Sequence, residues 1–435
     1  MKSIKIDINL IAIIILILFF INSVNLHSCS PRIEIFNNFE NQIEKKPKLA
    51  SLWDLMGSPI YIDESNPDYK WSKVEAENSW CSGEGTEENP YIIENVLING
   101  QGLGSCIEIK NSDVCFIIKN STIYNSGKDL DRDAGIKLDA VTNGELLNNN
   151  ILFNGNGLLI QRACSDNIIS GNSVNNNSGP GIQLVGGSGR NKISGNNISY
   201  NSDGISFNGS SNNFISENIV YNNLGNGLTS HESYSVDILR NRVYNNAYGG
   251  ISLSGNYFDI IENDVRYNER YGIKLYMCFL STISSNNITN NNDIGVYLEG
   301  RGKNEISENN VSYNNIGVYL SASPENTISR NNVSNNKNIG IWLRNSNITD
   351  IVDNSVSYNN NGVYILTSSE NNIHRNNVSK NENIGVWLEN SDINDIIENR
   401  VNSNKIGINL GGRRNTIKSN TISDNVIGIL ISNAK

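Results

Sequence analysis

The sequence predicts an all-β protein: a right-handed, single-stranded parallel β-helix of about fifteen coils, with an N-terminal hydrophobic helix and a small N-terminal cap. Three observations predict it. The pattern Asn-x-(Val/Ile)-x-x-Asn recurs thirteen times between Asn149 and Asn425, at steps of 21 to 24 residues. Fourteen glycines, from Gly135 to Gly428, recur with the same period, each followed by Ile, Val or Leu and usually, two residues later, by another large apolar residue. Within each coil the apolar residues alternate with period two between clusters of Asn, Ser and Gly, which marks short strands and turns rather than helices.

The asparagines set the register. The first of each pair are Asn149, Asn172, Asn196, Asn218, Asn241, Asn263, Asn286, Asn309, Asn331, Asn354, Asn376, Asn399 and Asn420, and each has a second asparagine five residues on. They flank an inward Val or Ile at turn positions. There an amide can accept from one neighbour and donate to the next along the stack, satisfying polar groups otherwise buried unpaired. A coil of about 22 residues cannot bury its own apolar face, so coils stack, roughly 4.8 Å apart, into a domain about 70 Å long. Right-handedness follows the general preference of parallel crossovers.

In chain order, Leu10–Ile21 is an unbroken apolar run behind Lys2 and Lys5, the layout of an export signal or, if uncleaved, a membrane anchor within residues 1–28. Residues 29–50 are polar and read as a flexible stalk. Residues 51–90, with Trp53, Trp71, Trp80, Tyr61 and Tyr69 among turn residues, read as a cap over the apolar end of the first coil. Residues 91–435 are the β-helix, and the missing C-terminal cap suggests end-to-end self-association or a tolerated open edge. Cys81, Cys106 and Cys115 lie where one disulfide would fit an oxidising compartment, whereas Cys164 and Cys278 are expected to be buried small hydrophobes.

A net charge of −10 with no Lys/Arg-rich run argues against nucleic acid as a partner. The residue before each ladder asparagine alternates in sign over much of the array: Glu217, Arg240, Glu262, Ser285, Glu308, Arg330, Asp353, Arg375, Glu398. Such a row favours the in-register stack. A second outward row is aromatic over five coils: Tyr297, Tyr319, Trp342, Tyr364 and Trp387, beside the glycines Gly295 to Gly385. Flat rings along a glycine trough are a candidate surface for stacking sugar rings. Residues 317–361 and 362–406 match at 26 of 45 positions, so duplication of a two-coil unit accounts equally for the repeated aromatics.

No catalytic constellation is legible. His231 and His374 have no second histidine or cysteine in the same column of an adjacent coil, and no Ser/His/Asp set, phosphate loop or zinc spacing occurs. No metal and no cofactor is expected. Asp237, Asp259, Asp350 and Asp395 share a column, read as turn-capping in preference to a cation site. Nine Asn-x-Ser/Thr sequons, at Asn120, Asn176, Asn197, Asn208, Asn287, Asn310, Asn332, Asn347 and Asn377, are open to glycosylation or arise from composition.

The repeat as it stands in Gly317-Val318-Tyr319-Leu320, Asn326-Thr327-Ile328-Ser329 and Asn331-Asn332-Val333-Ser334 resembles the parallel β-helix repeats of the NosD-like family over about residues 91–435. Glu87-Glu88-Asn89-Pro90-Tyr91-Ile92-Ile93-Glu94-Asn95, followed by Ile98-Asn99-Gly100-Gln101-Gly102, looks like the lead-in to the first coil in exported archaeal members. The resemblance implies the fold. It does not transfer an activity: similar coils occur in mannuronan epimerases, periplasmic copper-maturation proteins and certain F-box proteins, and the chain has no epimerase-like Asp-Pro-His motif, copper-ligand cluster or F-box segment. The function expected is that of an exported or membrane-anchored surface protein, non-enzymatic, displaying a binding face for polysaccharide or cell-envelope components. The alternatives are a lyase or epimerase, a metal-enzyme maturation accessory, a structural spacer, or, by analogy with the β-helix F-box proteins alone and with no residues to support it, a ubiquitin-pathway role.

Overall fold

A computed structural model describes residues 53–432. The hydrophobic segment and stalk expected before residue 51 lie outside them. Almost every described strand is parallel to its neighbours, and strands of successive coils line up in three long sheets. Two of these have sixteen strands each, running from Trp53–Asp54 to Thr421–Ser423 and from Cys81–Ser82 to Thr416–Lys418. The third runs from Ile60–Asp63 to Ile427–Ile431 and holds the longest strands.

The coil from Glu305 to Asn326 shows how local sequence produces this. Glu305–Ser307 lies in one sheet, Asn310–Ser312 in the next and Ile316–Ser321 in the third. The bends fall at Glu308, Tyr313 and Glu325, with φ of 60°, 58° and 56°. Asparagine follows each of them: Asn309, Asn314 and Asn326, all buried. A left-handed residue turns the chain, and the following amide folds inward to satisfy backbone groups that the corner leaves unpaired. Ile306, Val311, Val318 and Leu320 fill the interior and are fully buried.

The first and second amide ladders are continuous through the stack from Asn149 and Asn154 onward. Asn309 Nδ2 donates to Asn331 Oδ1 at 3.0 Å and to Ile283 O at 2.8 Å, while Asn331 Oδ1 also accepts from the Asn309 backbone N–H at 2.9 Å. The second asparagines repeat the arrangement, as in Asn314 to Asn336 at 3.2 Å. A third ladder at the remaining corner, as in Asn371 to Asn394 at 2.9 Å, was not apparent in the sequence. Val236, Phe258, Ser281 and Thr349 interrupt its column and hide the period.

At the N-terminal end, Trp53–Asp54 and Ile60–Asp63 already pair in parallel with Val96–Leu97 and Ile107–Lys110, so parallel stacking begins before residue 91. Cys81–Ser82 pairs antiparallel with Ile92–Ile93. Helix α1 (Trp71–Glu77) places the Trp71 ring 5.1 Å from Tyr91 and 5.1 Å from Phe116, and its indole N–H donates to Ser112 Oγ at 3.0 Å. No disulfide joins Cys81, Cys106 and Cys115: all three are free thiols. Cys106 points into the core, where its Sγ lies 3.3 Å from Tyr124 O, and burial pushes its thiol up to about 12. Cys164 and Cys278 are buried as expected.

Candidate functional site

The third sheet brings the five aromatic residues into one column: Tyr297 pairs with Tyr319, Tyr319 with Trp342, Trp342 with Tyr364 and Tyr364 with Trp387. Successive ring centroids are 5.1, 4.5, 5.8 and 4.2 Å apart, with interplanar angles between 8° and 27°. The cause is geometric. In-register parallel strands repeat at roughly 4.8 Å, close to the separation of stacked rings, so flat side chains in one column lie face to face. Tyr319 and Tyr364 are consequently only 9% exposed. The ring faces expected to be open to a ligand are covered by one another, and the row presents its edges.

The surroundings complete this ribbon. Ile294, Ile316 and Ile339 pack beside it as a second, external apolar cluster. The Lys274 ammonium lies 4.9 Å over the Tyr297 ring and 2.9 Å from Glu299 Oε2. Tyr364 Oη donates to Glu389 Oε2 at 2.6 Å. Burial first, then the Glu389 carboxylate, raises the Tyr364 phenol above the ordinary tyrosine range. Tyr297 is raised by the same pair of causes, with Glu299 as the carboxylate. The indole N–H of Trp342 is buried without a partner.

The glycine row is not a trough. Gly295, Gly317, Gly340, Gly362 and Gly385 are buried, and a Cβ on Gly317 would lie 2.5 Å from Gly340 O, 2.6 Å from Val333 Cγ1 and 2.9 Å from Asn336 Nδ2. These glycines let the second amide ladder pass under the strand. The charge row does pair across coils: Arg240 reaches Glu217 at 3.3 Å and Glu262 at 3.6 Å, Arg330 reaches Glu308 at 3.0 Å, and Arg375 reaches Asp353 at 2.8 Å. His374 joins it through Glu398, 3.0 Å away. Asp237 and Asp259 sit on adjacent rungs; burial, and then Asp259, raises the Asp237 carboxyl. Among the described residues no group of three or more His, Cys, Asp and Glu side chains is placed to hold a metal, and no helix is long and apolar enough to cross a membrane.

A concave surface lies at the corner that precedes the ribbon in each coil. It is an open groove of about 760 Å³. It is lined by Asn245, Tyr267, Asn290 and Tyr313, which precede second-ladder positions in the chain, by Glu269, Asn292, Asn315 and Lys337, which follow them, and by the buried amides Asn268, Asn291 and Asn314. Tyr267 and Tyr313 are 52% and 60% exposed. The groove combines aromatic faces with amides that both donate and accept, the set of groups that matches sugar rings and their hydroxyls. Sequence reasoning passed over it, although its signal was present: the residue before each second asparagine alternates Asn245, Tyr267, Asn290, Tyr313, Asn335, Tyr358.

The family described as the right-handed beta helix region matches residues 60–202, 184–277, 249–401 and 347–435, and the chain belongs to it. No curated protein matches the chain. Among solved structures it is similar to the Dettilon tailspike protein, at 15% identity and a TM-score of 0.43, over 78% of this chain and 62% of the tailspike. This chain thus spans under two thirds of the tailspike's length. It is also similar to the A-module of the Azotobacter vinelandii mannuronan C-5 epimerase AlgE6, at 15% identity and a TM-score of 0.42, over 75% and 90% of the two chains. The periplasmic alginate epimerase AlgG shares 12% identity over 83% of each chain, with a TM-score of 0.37.

Proposed function

We propose that this member of the right-handed β-helix family is an exported or membrane-anchored cell-surface protein, non-enzymatic, that binds carbohydrate along the lateral face of its coils. One observation carries the reading: an open groove of about 760 Å³, lined by phenols and side-chain amides, follows the corner next to the aromatic ribbon. Rigid stacked coils hold these groups at a fixed spacing, so recognition costs little ordering of the protein. Export is supported by the apolar run Leu10–Ile21 behind Lys2 and Lys5, and placement among NosD-like exported repeats by the segment Glu87–Asn95.

A glycan array probed with the protein tests the binding. Selective retention of one class of glycan is the expected result, and retention of none removes the proposal. Incubation of the retained glycan with the protein, followed by assay for new chain ends or unsaturated sugars, tests the non-enzymatic part, which turnover would overturn. Fractionation of the source cells tests export, with the cell envelope or medium as the expected location.

A further inference from the structure

Resting on the carbohydrate reading, we infer that the corner groove, rather than the aromatic ribbon, holds the ligand, and that the ligand is a neutral, extended polysaccharide with a two-sugar repeat lying along the stack. Tyr267 and Tyr313 in the groove, and Tyr358 two coils further along the same column, are its stacking contacts. They occupy one column, each directly after in-register strands of successive coils, with Asn290 and Asn335 on the rungs between. Aromatic rings therefore recur every second coil, about 10 Å apart. An extended β-linked chain with two-fold symmetry presents the same sugar face at every second residue, which matches a binding surface of alternating ring and amide.

A left-handed residue stands at most corners of the stack, exposed Ile348, Ile393 and Leu280 among them, so what sets these tyrosines apart is their recurrence on alternate rungs of one column. Tyr267, Tyr313 and Tyr358 are left-handed, with φ of 55°, 58° and 57°. Asparagine adopts that conformation readily, as Asn245, Asn290 and Asn335 do on the alternate rungs, whereas a bulky ring is disfavoured there. Packing does not offset the strain, because the three tyrosines are 52%, 60% and 53% exposed. The ribbon differs: its rings occupy consecutive rungs and cover one another, while an asparagine rung separates each tyrosine of this column from the next.

Two neighbours bear on the rings: Arg266 lies 5.9 Å over Tyr267, and Lys380 lies 5.2 Å over Tyr358 and donates to its hydroxyl at 2.8 Å. Glu269 and Lys337, the charged residues lining the groove, balance one another, and Arg266 is paired with Asp264 at 3.4 Å, which suits a neutral chain better than a polyanion. Duplication does not explain the alternation. Tyr267 and Tyr313 lie outside the matched blocks, and the counterpart of Tyr358 in the second copy is Ser403.

Titration calorimetry of the full chain with cello- and chito-oligosaccharides of increasing length tests the inference. At least one series is expected to bind, with affinity rising in two-sugar steps. The variant Tyr267→Asn/Tyr313→Asn/Tyr358→Asn, which relieves the left-handed strain and so stays folded, should lose about tenfold or more in affinity with its melting temperature unchanged or raised. Tyr257→Asn is the matched control: Tyr257 is a left-handed tyrosine (φ 60°, 49% exposed) at a different corner, and its replacement should leave affinity unchanged. Undiminished binding by the triple variant, or binding of neither series, overturns the inference. If the array still retains another glycan, the carbohydrate reading survives; if it retains none, that reading fails as well.

Discussion

Asn241 and Asn263, one coil apart, are joined twice through a single oxygen: Asn263 Oδ1 accepts from the Asn241 backbone N–H at 2.8 Å and from Asn241 Nδ2 at 3.0 Å. Asn263 Nδ2 in turn donates to Ile238 O at 2.8 Å and to Asn286 Oδ1 at 3.0 Å. Each amide thus closes a corner and links it to the next, and both residues are buried.

Replacing Asn263 by Ala should therefore cost about 2–4 kcal/mol, because it strands the Asn241 N–H and the Ile238 carbonyl away from water. In a solenoid the damage spreads first to adjacent coils. Hydrogen exchange is expected to accelerate at residues 238–263 before the rest of the array, and uniform protection in the variant would contradict the role assigned to the ladder.

Gly317→Ala should destabilise by about 1–3 kcal/mol through overpacking, since the new Cβ would press on Gly340 O, Val333 and Asn336. Gly209 is a useful contrast. Its φ is +56° and a Cβ there would have nothing within 4 Å, so Gly209→Asn should stay within about 0.5 kcal/mol of the parent in urea melts.

The Arg375 guanidinium holds the Asp353 carboxyl below its ordinary value, through contacts of 2.8 and 3.0 Å. A depressed carboxyl pKa means that the ion pair's stabilisation is present above the unfolded pKa of about 3.9 and is lost as pH falls through the folded value. Arg375→Ala should raise the Asp353 pKa toward the unfolded value in a carboxyl NMR titration, and added salt should reduce the difference.

Tyr364 has the opposite sign. Its folded pKa is raised, by burial and then by Glu389, so its contribution is present below about pH 10 and is lost as pH rises through the folded value. Ultraviolet titration should show phenols that ionise late, and Glu389→Gln should bring one of them to lower pH without returning it fully, because burial remains.

Trp342 stacks between Tyr319 and Tyr364 with its indole N–H unpaired. Trp342→Phe keeps the stack and removes the unsatisfied donor, so stability should change by less than about 1 kcal/mol. Trp342→Ala opens a gap in the ribbon and should cost more, since each aromatic pair contributes about 0.5–1.5 kcal/mol beyond area burial. Equal melting temperatures for the two variants would contradict this account.

By itself, the sequence determined the β-helix, its register, the first two amide ladders and the paired charge row. Each depends on which residues share a column, and a period of 21 to 24 residues makes columns readable. What a column presents to solvent was decided by the tertiary structure. Periodicity identified the aromatic row but not that rings repeating at roughly 4.8 Å would turn their faces onto one another. It also could not show that the glycines face a buried amide, or that alternate tyrosines at a left-handed corner stand clear of one another. Those outcomes depend on backbone bends and side-chain direction, which a one-dimensional repeat does not encode.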